Sequence, residues 1–256
     1  MSSLPRIINL QANDICNARC LMCRIWTHRG EGDYSLDQLE RFLGDPYFRE
    51  VEHVGVTCGE PSLRSDLADL YRILAQRLPS LRGASFITNG FLSKKIIPLY
   101  HTISEAYRAK RLEFSGMVSL DGIGEIHDRI RGRPGSFAGS SDTLRGLLAA
   151  GIPTVACCTV VKGNVYHLHA LREWCLAQGI GTRFRVGEFI LRLDNRSQGN
   201  QIRAFSRDEL RHLVAFFHLL IDQERDPSVA ATYRSIISLL NGGERKTGCP
   251  YRDGKA

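Results

Sequence analysis

Cys16-Asn17-Ala18-Arg19-Cys20-Leu21-Met22-Cys23 puts three cysteines into eight residues at C-x3-C-x2-C spacing. Thiolates are soft ligands, and a tight run of them suits an iron–sulfur cluster. Three thiolates on a four-iron cluster leave one iron without a protein ligand, and that iron is the expected seat of chemistry. A closed tetrahedral zinc site needs a fourth ligand at a matching spacing. His28 is the one histidine close by, and none follows at such a spacing. Zinc binding and a chance grouping of core cysteines are the competing readings.

Reading outward, the apolar segment Arg6-Ile7-Ile8-Asn9-Leu10-Gln11 has the pattern of a strand just upstream. Downstream, residues 51–57 form a second strand pattern that runs into Cys58-Gly59-Glu60-Pro61. Phe86-Ile87-Thr88-Asn89-Gly90 closes a third, and Met117-Val118-Ser119-Leu120-Asp121-Gly122 a fourth. His127-Asp128-Arg129-Ile130-Arg131-Gly132 comes next. Asn-Gly and Asp-Gly are common turn signals, so each segment alone says little; their order after the cysteine loop carries the weight.

Together these segments resemble the signature of the radical S-adenosylmethionine (SAM) superfamily, over residues 6–190. The resemblance implies a [4Fe-4S] cluster on Cys16, Cys20 and Cys23, with the methionyl amine and carboxylate of SAM on the open iron. Reductive cleavage of SAM to a 5′-deoxyadenosyl radical would follow, with an electron donor such as flavodoxin or ferredoxin as partner. Met22, an expected SAM-site residue, stands where the family pattern is usually aromatic. Gly59, Glu60 and Pro61 match the Gly-Gly-Glu-Pro segment whose backbone and carboxylate hold the SAM ammonium, with Cys58 in place of the first Gly. That replacement is harmless only if position 58 does not need a positive φ, and it could bring a fourth thiol close to the cluster loop. Otherwise Cys58 is a small buried side chain. Asn89, which ends the third strand, is likewise an expected SAM-site residue. Ser119 and Asp121 lie in the segment that looks like the one placing a hydroxyl and a carboxylate near the SAM ribose. Arg131 sits in a stretch similar to the His-Asp-x-x-Arg-Gly of peptide- and sugar-modifying members. It is expected to fork onto the SAM carboxylate, a solvated loop arginine being the alternative.

Strand and helix signals alternate, the pattern of a parallel sheet covered by helices. Ser35-Leu36-Asp37-Gln38 is a capping box opening a helix that ends near Gly44. Helices are predicted over residues 65–78, 141–150 and 165–178, and strands over 153–161 and 183–193. Ser206-Arg207-Asp208-Glu209 opens a long helix to about residue 224, and a last helix covers 229–240. The expected fold class is α/β, a partial (β/α)6 barrel of residues 1–205, with C-terminal helices and a short cysteine-bearing tail over 206–256 packing on it. Function in parallel barrels sits on loops at the carboxyl ends of the strands, where every motif above falls. Residues 195–200 read as a surface loop.

With 256 residues and 43% apolar content, the chain can bury a full core. No apolar run reaches the roughly 20 residues of a membrane span, and Met-Ser-Ser-Leu-Pro-Arg lacks the apolar core of a signal peptide. Three cysteines in one cluster loop argue for a reducing compartment, so a cytoplasmic protein without a membrane partner is expected. The net charge of +7 is spread over many segments. Arg183-Phe184-Arg185 is the one hint of the interleaved basic and aromatic residues that nucleic acid would want. A strand with outward arginines is its plainer reading, and no nucleic-acid partner is expected.

Of the remaining cysteines, Cys157 and Cys158 are adjacent in the fifth strand, so one must face the barrel interior and the other the helices. Both read as packing, and Cys175, beside Trp174, as core. Cys249 stands in a turn-rich segment after the last helix, with seven residues beyond it and no further Cys. A single cysteine there resembles the radical SAM epimerases of antibiotic biosynthesis, those acting on aminoglycosides in particular. The resemblance implies a small-molecule substrate and Cys249 as the hydrogen-atom donor that inverts a carbon. A polycationic substrate needs paired carboxylates at the barrel mouth, and Glu188 and Asp194 are the candidates. The second reading is a peptide maturase or dehydrogenase in which Cys249 serves a possible second [4Fe-4S] cluster, with ligands from elsewhere or from a longer chain. The third is a metal-binding protein without SAM chemistry.

Overall fold

The computed structural model describes residues 4–28, 30 and 32–247, so Cys249 lies outside the described residues. Six strands, β1 (Ile7–Gln11), β2 (His53–Thr57), β3 (Gly83–Thr88), β4 (Glu113–Ser119), β5 (Thr154–Val160) and β6 (Gly181–Val186), form one sheet in sequence order. Every neighbouring pair is parallel, with Gln11 opposite Thr57, Thr88 opposite Val118, and Thr159 opposite Arg185. The carboxyl ends therefore share one rim. β1 and β6 do not pair, which leaves the barrel open: the expected partial barrel.

The helices are α1 (Leu36–Leu43), α2 (Leu67–Arg77), α3 (Ser93–Ala109), α4 (Glu125–Arg131), α5 (Ser136–Ala149), α6 (Leu168–Ala177), α7 (Gly199–Ile202), α8 (Arg207–Gln223) and α9 (Pro227–Leu240). Both predicted capping boxes form. Ser35 Oγ accepts from the Gln38 amide while Gln38 Oε1 accepts from that of Ser35, and Ser206 and Glu209 repeat the arrangement. Strand alternation sorts the two faces: Ala156, Cys158 and Val160 of β5 join the apolar core beneath the helices. Cys157 falls on the other face. Cys175 is fully buried in the same core, which also takes in Phe216 and Phe217 of α8 and Tyr233 of α9. Gly116 of β4 gives up its side chain to Phe86, since a Cβ there would lie 2.1 Å from the ring tip. The Phe86 ring, so placed, stacks on Tyr100 of α3 with centroids 3.7 Å apart.

Several elements differ from expectation. α3 has no counterpart in the sequence reading. Pro98 within it removes one backbone donor, yet Ile96, Tyr100, Ile103 and Tyr107 recur on one helical face and are all buried, which outweighs the break. α4 was expected only as a motif-bearing stretch, and α5 begins at Ser136, five residues before the predicted start. β6 ends at Val186 rather than 193, because Gly187 packs against Ile202 and the chain turns into a short 3-10 helix at Leu191–Leu193. Residues 195–200 are not simply a surface loop: Asn195 is fully buried. No helix among the described residues is long and apolar enough to cross a membrane.

Candidate active site

The last four carbonyls of a helix have no partner within it, and α4 hands two of its own to the cysteine loop. Arg19 N–H donates to Arg131 O at 2.9 Å and Leu21 N–H to Ile130 O at 2.8 Å. Gly132 makes this approach possible: its φ is +62°, and a Cβ would lie 2.3 Å from Arg19 O. On the far side, Asn195 Nδ2 donates to Met22 O and to Glu188 O, both at 2.9 Å. Beneath the loop lies a small apolar cluster of Ala18, Cys20, Met22, Ile130, Val161 and Ile202, separate from the main core.

Donors surround the sulfurs. The Ala18 amide lies 3.4 Å from Cys16 Sγ, Asn89 Nδ2 lies 4.0 Å from it, and Arg131 Nη1 is 3.7 Å from Cys20 Sγ. Burial pushes the thiol of Cys16 up to about 12 and that of Cys23 to about 11, and raises Cys20 as well. As free groups they hold their protons at neutral pH, whereas a bound iron takes them deprotonated. The three sulfurs, on one loop and ringed by N–H donors, fit a four-iron cluster, whose thiolates each go to a different iron. No three or more His, Cys, Asp or Glu among the described residues are grouped to hold a single ion.

Two buried carboxylates tie the rim together. Glu60, 1% exposed, accepts from Ser62 N and Oγ (3.1 and 2.7 Å), Thr88 Oγ1 (2.7 Å) and Asn89 N (2.7 Å), clasping the end of β2 to that of β3. Burial raises its pKa against these donors. Three bonds fall on Oε1 and one on Oε2, so Oε2 is where a ligand ammonium would find acceptor capacity. Asn89 Nδ2 continues to Asn17 Oδ1 at 2.7 Å, joining this clasp to the cysteine loop.

Asp121 is fully buried at the end of β4. Its Oδ1 accepts from Thr159 N–H at 2.8 Å, and its Oδ2 stands 2.6 Å from Arg131 Nε, an ion pair outside linear hydrogen-bond geometry. Asn164 Nδ2 donates to the Asp121 carbonyl at 2.9 Å. Arg131 is thus a buried, paired residue in the last turn of α4 rather than a solvated loop arginine. Burial opposes its charge, but Asp121 and Cys20 outweigh burial and hold its pKa above the ordinary value. With Nε committed to Asp121 and Nη1 beside Cys20, its fork is only partly free for a SAM carboxylate. His127 is neutral, burial driving its pKa to about 3, and its Nδ1 accepts from the Asp121 amide at 3.0 Å. The Asp128 carboxylate accepts from Gly135 N, Ser136 Oγ and Phe137 N, fixing the start of α5. Ser119, at the end of β4, is also buried.

Cys58 has φ +75°. Position 58 therefore does require the left-handed conformation that its side chain resists, against the condition under which the replacement is harmless. The residue is 7% exposed, and its thiol is near enough to Cys23 to add to the rise that burial causes there. At an ordinary position Ala is more stable than Gly by about 0.5–1 kcal/mol. A left-handed non-glycine residue costs about 1–2 kcal/mol. The order should reverse here, with Cys58→Gly more stable than Cys58→Ala by about 0.5–1 kcal/mol in urea denaturation. Ala ahead of Gly would show that the surroundings relax the backbone.

Beyond the cysteine loop, a cavity of about 280 Å³ opens at the ends of β5 and β6. Met22 and Thr159 line it on the loop side, Ile236, Leu239 and Leu240 of α9 on the other, and Glu188, Arg185, Arg203 and Arg245 are on its wall. Asp194 is not part of it. That residue is left-handed at φ +44°, exposed, and 3.9 Å from Arg24. Of the two carboxylates expected to meet a polycation, only Glu188 is in place, and it is outnumbered by arginines.

The sequence pattern of the Radical SAM superfamily matches residues 11–175. The chain belongs to the radical SAM superfamily. It is 26% identical over 192 residues to the sporulation killing factor maturation protein SkfB of Bacillus subtilis, covering 73% of this chain and 43% of SkfB. An 87-residue stretch is 32% identical to the GTP 3′,8-cyclase of Yersinia pestis, 33% of this chain and 26% of that enzyme. The radical SAM fold is seen again in SuiB of Streptococcus suis bound to S-adenosylmethionine, with TM-score 0.65 and 14% identity over 87% of this chain and 49% of SuiB. The chain spans less than half of each of these proteins. As in the rest of the radical SAM family, a [4Fe-4S] cluster and SAM are its cofactors. Sequence reasoning had missed Asn13, whose Nδ2 holds Glu60 O at 3.0 Å, and Asn164 and Asn195. Lone asparagines carry no motif.

Proposed function

We propose that this chain cleaves SAM reductively at a cluster held by Cys16, Cys20 and Cys23, and spends the cut on hydrogen abstraction from a peptide seated in the cavity at the ends of β5 and β6. The cluster supplies the electron and the open iron at which SAM is bound. Glu60 and Asn89 position one side of that site, Ser119, Asp121 and Arg131 the other. Met22 separates it from the substrate cavity and keeps the boundary apolar.

The observation that carries the peptide reading is the cavity lining: apolar Ile236, Leu239 and Leu240 of α9 share it with three arginines and one carboxylate. A polycationic aminoglycoside would lose hydration on entry and meet like charge. A peptide offers apolar and acidic side chains on one strand. The relatives agree in kind: SkfB is named as a maturation protein, and SuiB is also known bound to its precursor peptide SuiA.

The test is anaerobic reconstitution, then SAM and dithionite with a peptide pool digested from cells grown in deuterium oxide. Mass spectrometry should find deuterium in the 5′-deoxyadenosine formed. Deuterium transfer from a deuterated aminoglycoside and none from the peptides would reverse the choice of substrate, and no deoxyadenosine under any condition would end the reading.

A further inference from the structure

We infer that the cavity at the ends of β5 and β6 reads a carboxylate side chain of its peptide substrate, through Arg185, Arg203 and Arg245. The inference rests on the peptide reading above and goes beyond it by naming the residue type that is recognised.

Several arginines elsewhere have carboxylate partners, and the exposed Arg111, Arg196, Arg207, Arg225 and Arg234 stand apart in water, so what marks the cavity is that its unpaired arginines share one lining. Arg77 holds Glu40, Arg108 holds Glu105, Arg145 holds Asp142, and Arg183, two residues before Arg185, stands 3.6 Å from Glu224. The three arginines on the cavity wall have no hydrogen-bond or ion-pair partner for their guanidiniums among the described residues. They come from three separate elements: the end of β6, the turn after α7, and the segment after α9. Convergence of unpaired like charges is unfavourable unless an anion completes it. Glu188 is the one carboxylate among the described lining residues and cannot neutralise three cations.

The hydroxyls of Thr159 and, from α9, of Thr232 and Ser235 add donors to the lining, and Arg203 is half-buried, where water screens it less. Guanidinium matches carboxylate as a planar two-point donor. The apolar side chains of Ile236, Leu239 and Leu240 in the same lining suit a neighbouring aliphatic residue. The fitting ligand is thus an acidic residue flanked by an apolar one, held beside Met22 and hence next to the cluster loop.

Fluorescein-labelled Leu-Glu-Ala-Glu-Leu, its Gln isostere and its Lys counterpart, titrated by anisotropy into the reconstituted protein with SAM, test this directly. The acidic peptide should bind about tenfold more tightly than the Gln isostere, and the Lys peptide more weakly still. Rising ionic strength should narrow the gap. Arg203→Gln and Arg185→Gln should each shrink it, and Arg203→Lys should restore part, with circular dichroism checking that each variant is folded. Equal binding of acidic and Gln peptides overturns the inference and leaves the peptide reading standing. Acid preference untouched by both Arg variants also overturns it. No binding by any peptide, while tripolyphosphate quenches a Met22→Trp reporter, removes the peptide reading as well.

Discussion

Changing any one of Cys16, Cys20 and Cys23 to alanine should abolish iron loading and, with it, deoxyadenosine formation from SAM. With two thiolates left, the cluster loses one of its three anchors, and the Cys58 thiol near Cys23 sits on a strained left-handed turn rather than on the loop. Iron and sulfide content after reconstitution and deoxyadenosine yield should fall together, to background. Cys175→Ala is the control: that cysteine is buried in the main core and away from the loop, so the variant should keep its iron. Deoxyadenosine formation by a Cys16, Cys20 or Cys23 variant would remove the cluster assignment, whatever the family membership says.

Asp121→Ala should be the most destabilising single substitution at the rim. It leaves Arg131 charged and buried without its partner, a change that costs about 3–5 kcal/mol, and strips the Thr159 amide of its acceptor at a further cost of about 1–3 kcal/mol. Denaturant midpoints measure the sum. Asp121→Asn can keep the Thr159 bond and should cost less. The double variant Asp121→Asn, Arg131→Met should regain much of the loss, because an apolar replacement of both partners removes the unpaired charge. If Asp121→Ala cost under about 1 kcal/mol, Arg131 would be finding water, contrary to its burial. The effect should reach the metal: the final carbonyls of α4, which anchor Arg19 and Leu21, move with Arg131.

Much of this rim was legible because each motif closes a strand with residues whose chemistry is local. Cysteine spacing, a Gly-Glu-Pro turn and a Ser-Leu-Asp-Gly end are short-range signals, and the alternation of strands and helices fixed their placement on a single rim. What escaped depends on distant partners. Pro98 argues locally against a helix, and only the burial of Ile96, Tyr100 and Tyr107 against the sheet overrides it. Asn195 resembles any loop asparagine until the chain returns it to Met22, 173 positions away. The left-handed turn at Cys58 could be posed from sequence only as a condition. The arginines lining the cavity beside Met22 escaped for a related reason: Arg185, Arg203 and Arg245 come from three separate elements that only folding gathers.

The cysteine loop rests on its own small apolar seat rather than on the main core. Regions with few shared contacts open at a fraction of the free energy of global unfolding. The barrel can therefore be complete before any iron arrives, with the loop lifting from α4 to admit it. Metal loading then becomes a late, local event on a finished scaffold, and loss of the cluster to oxygen need not take the rest of the molecule with it.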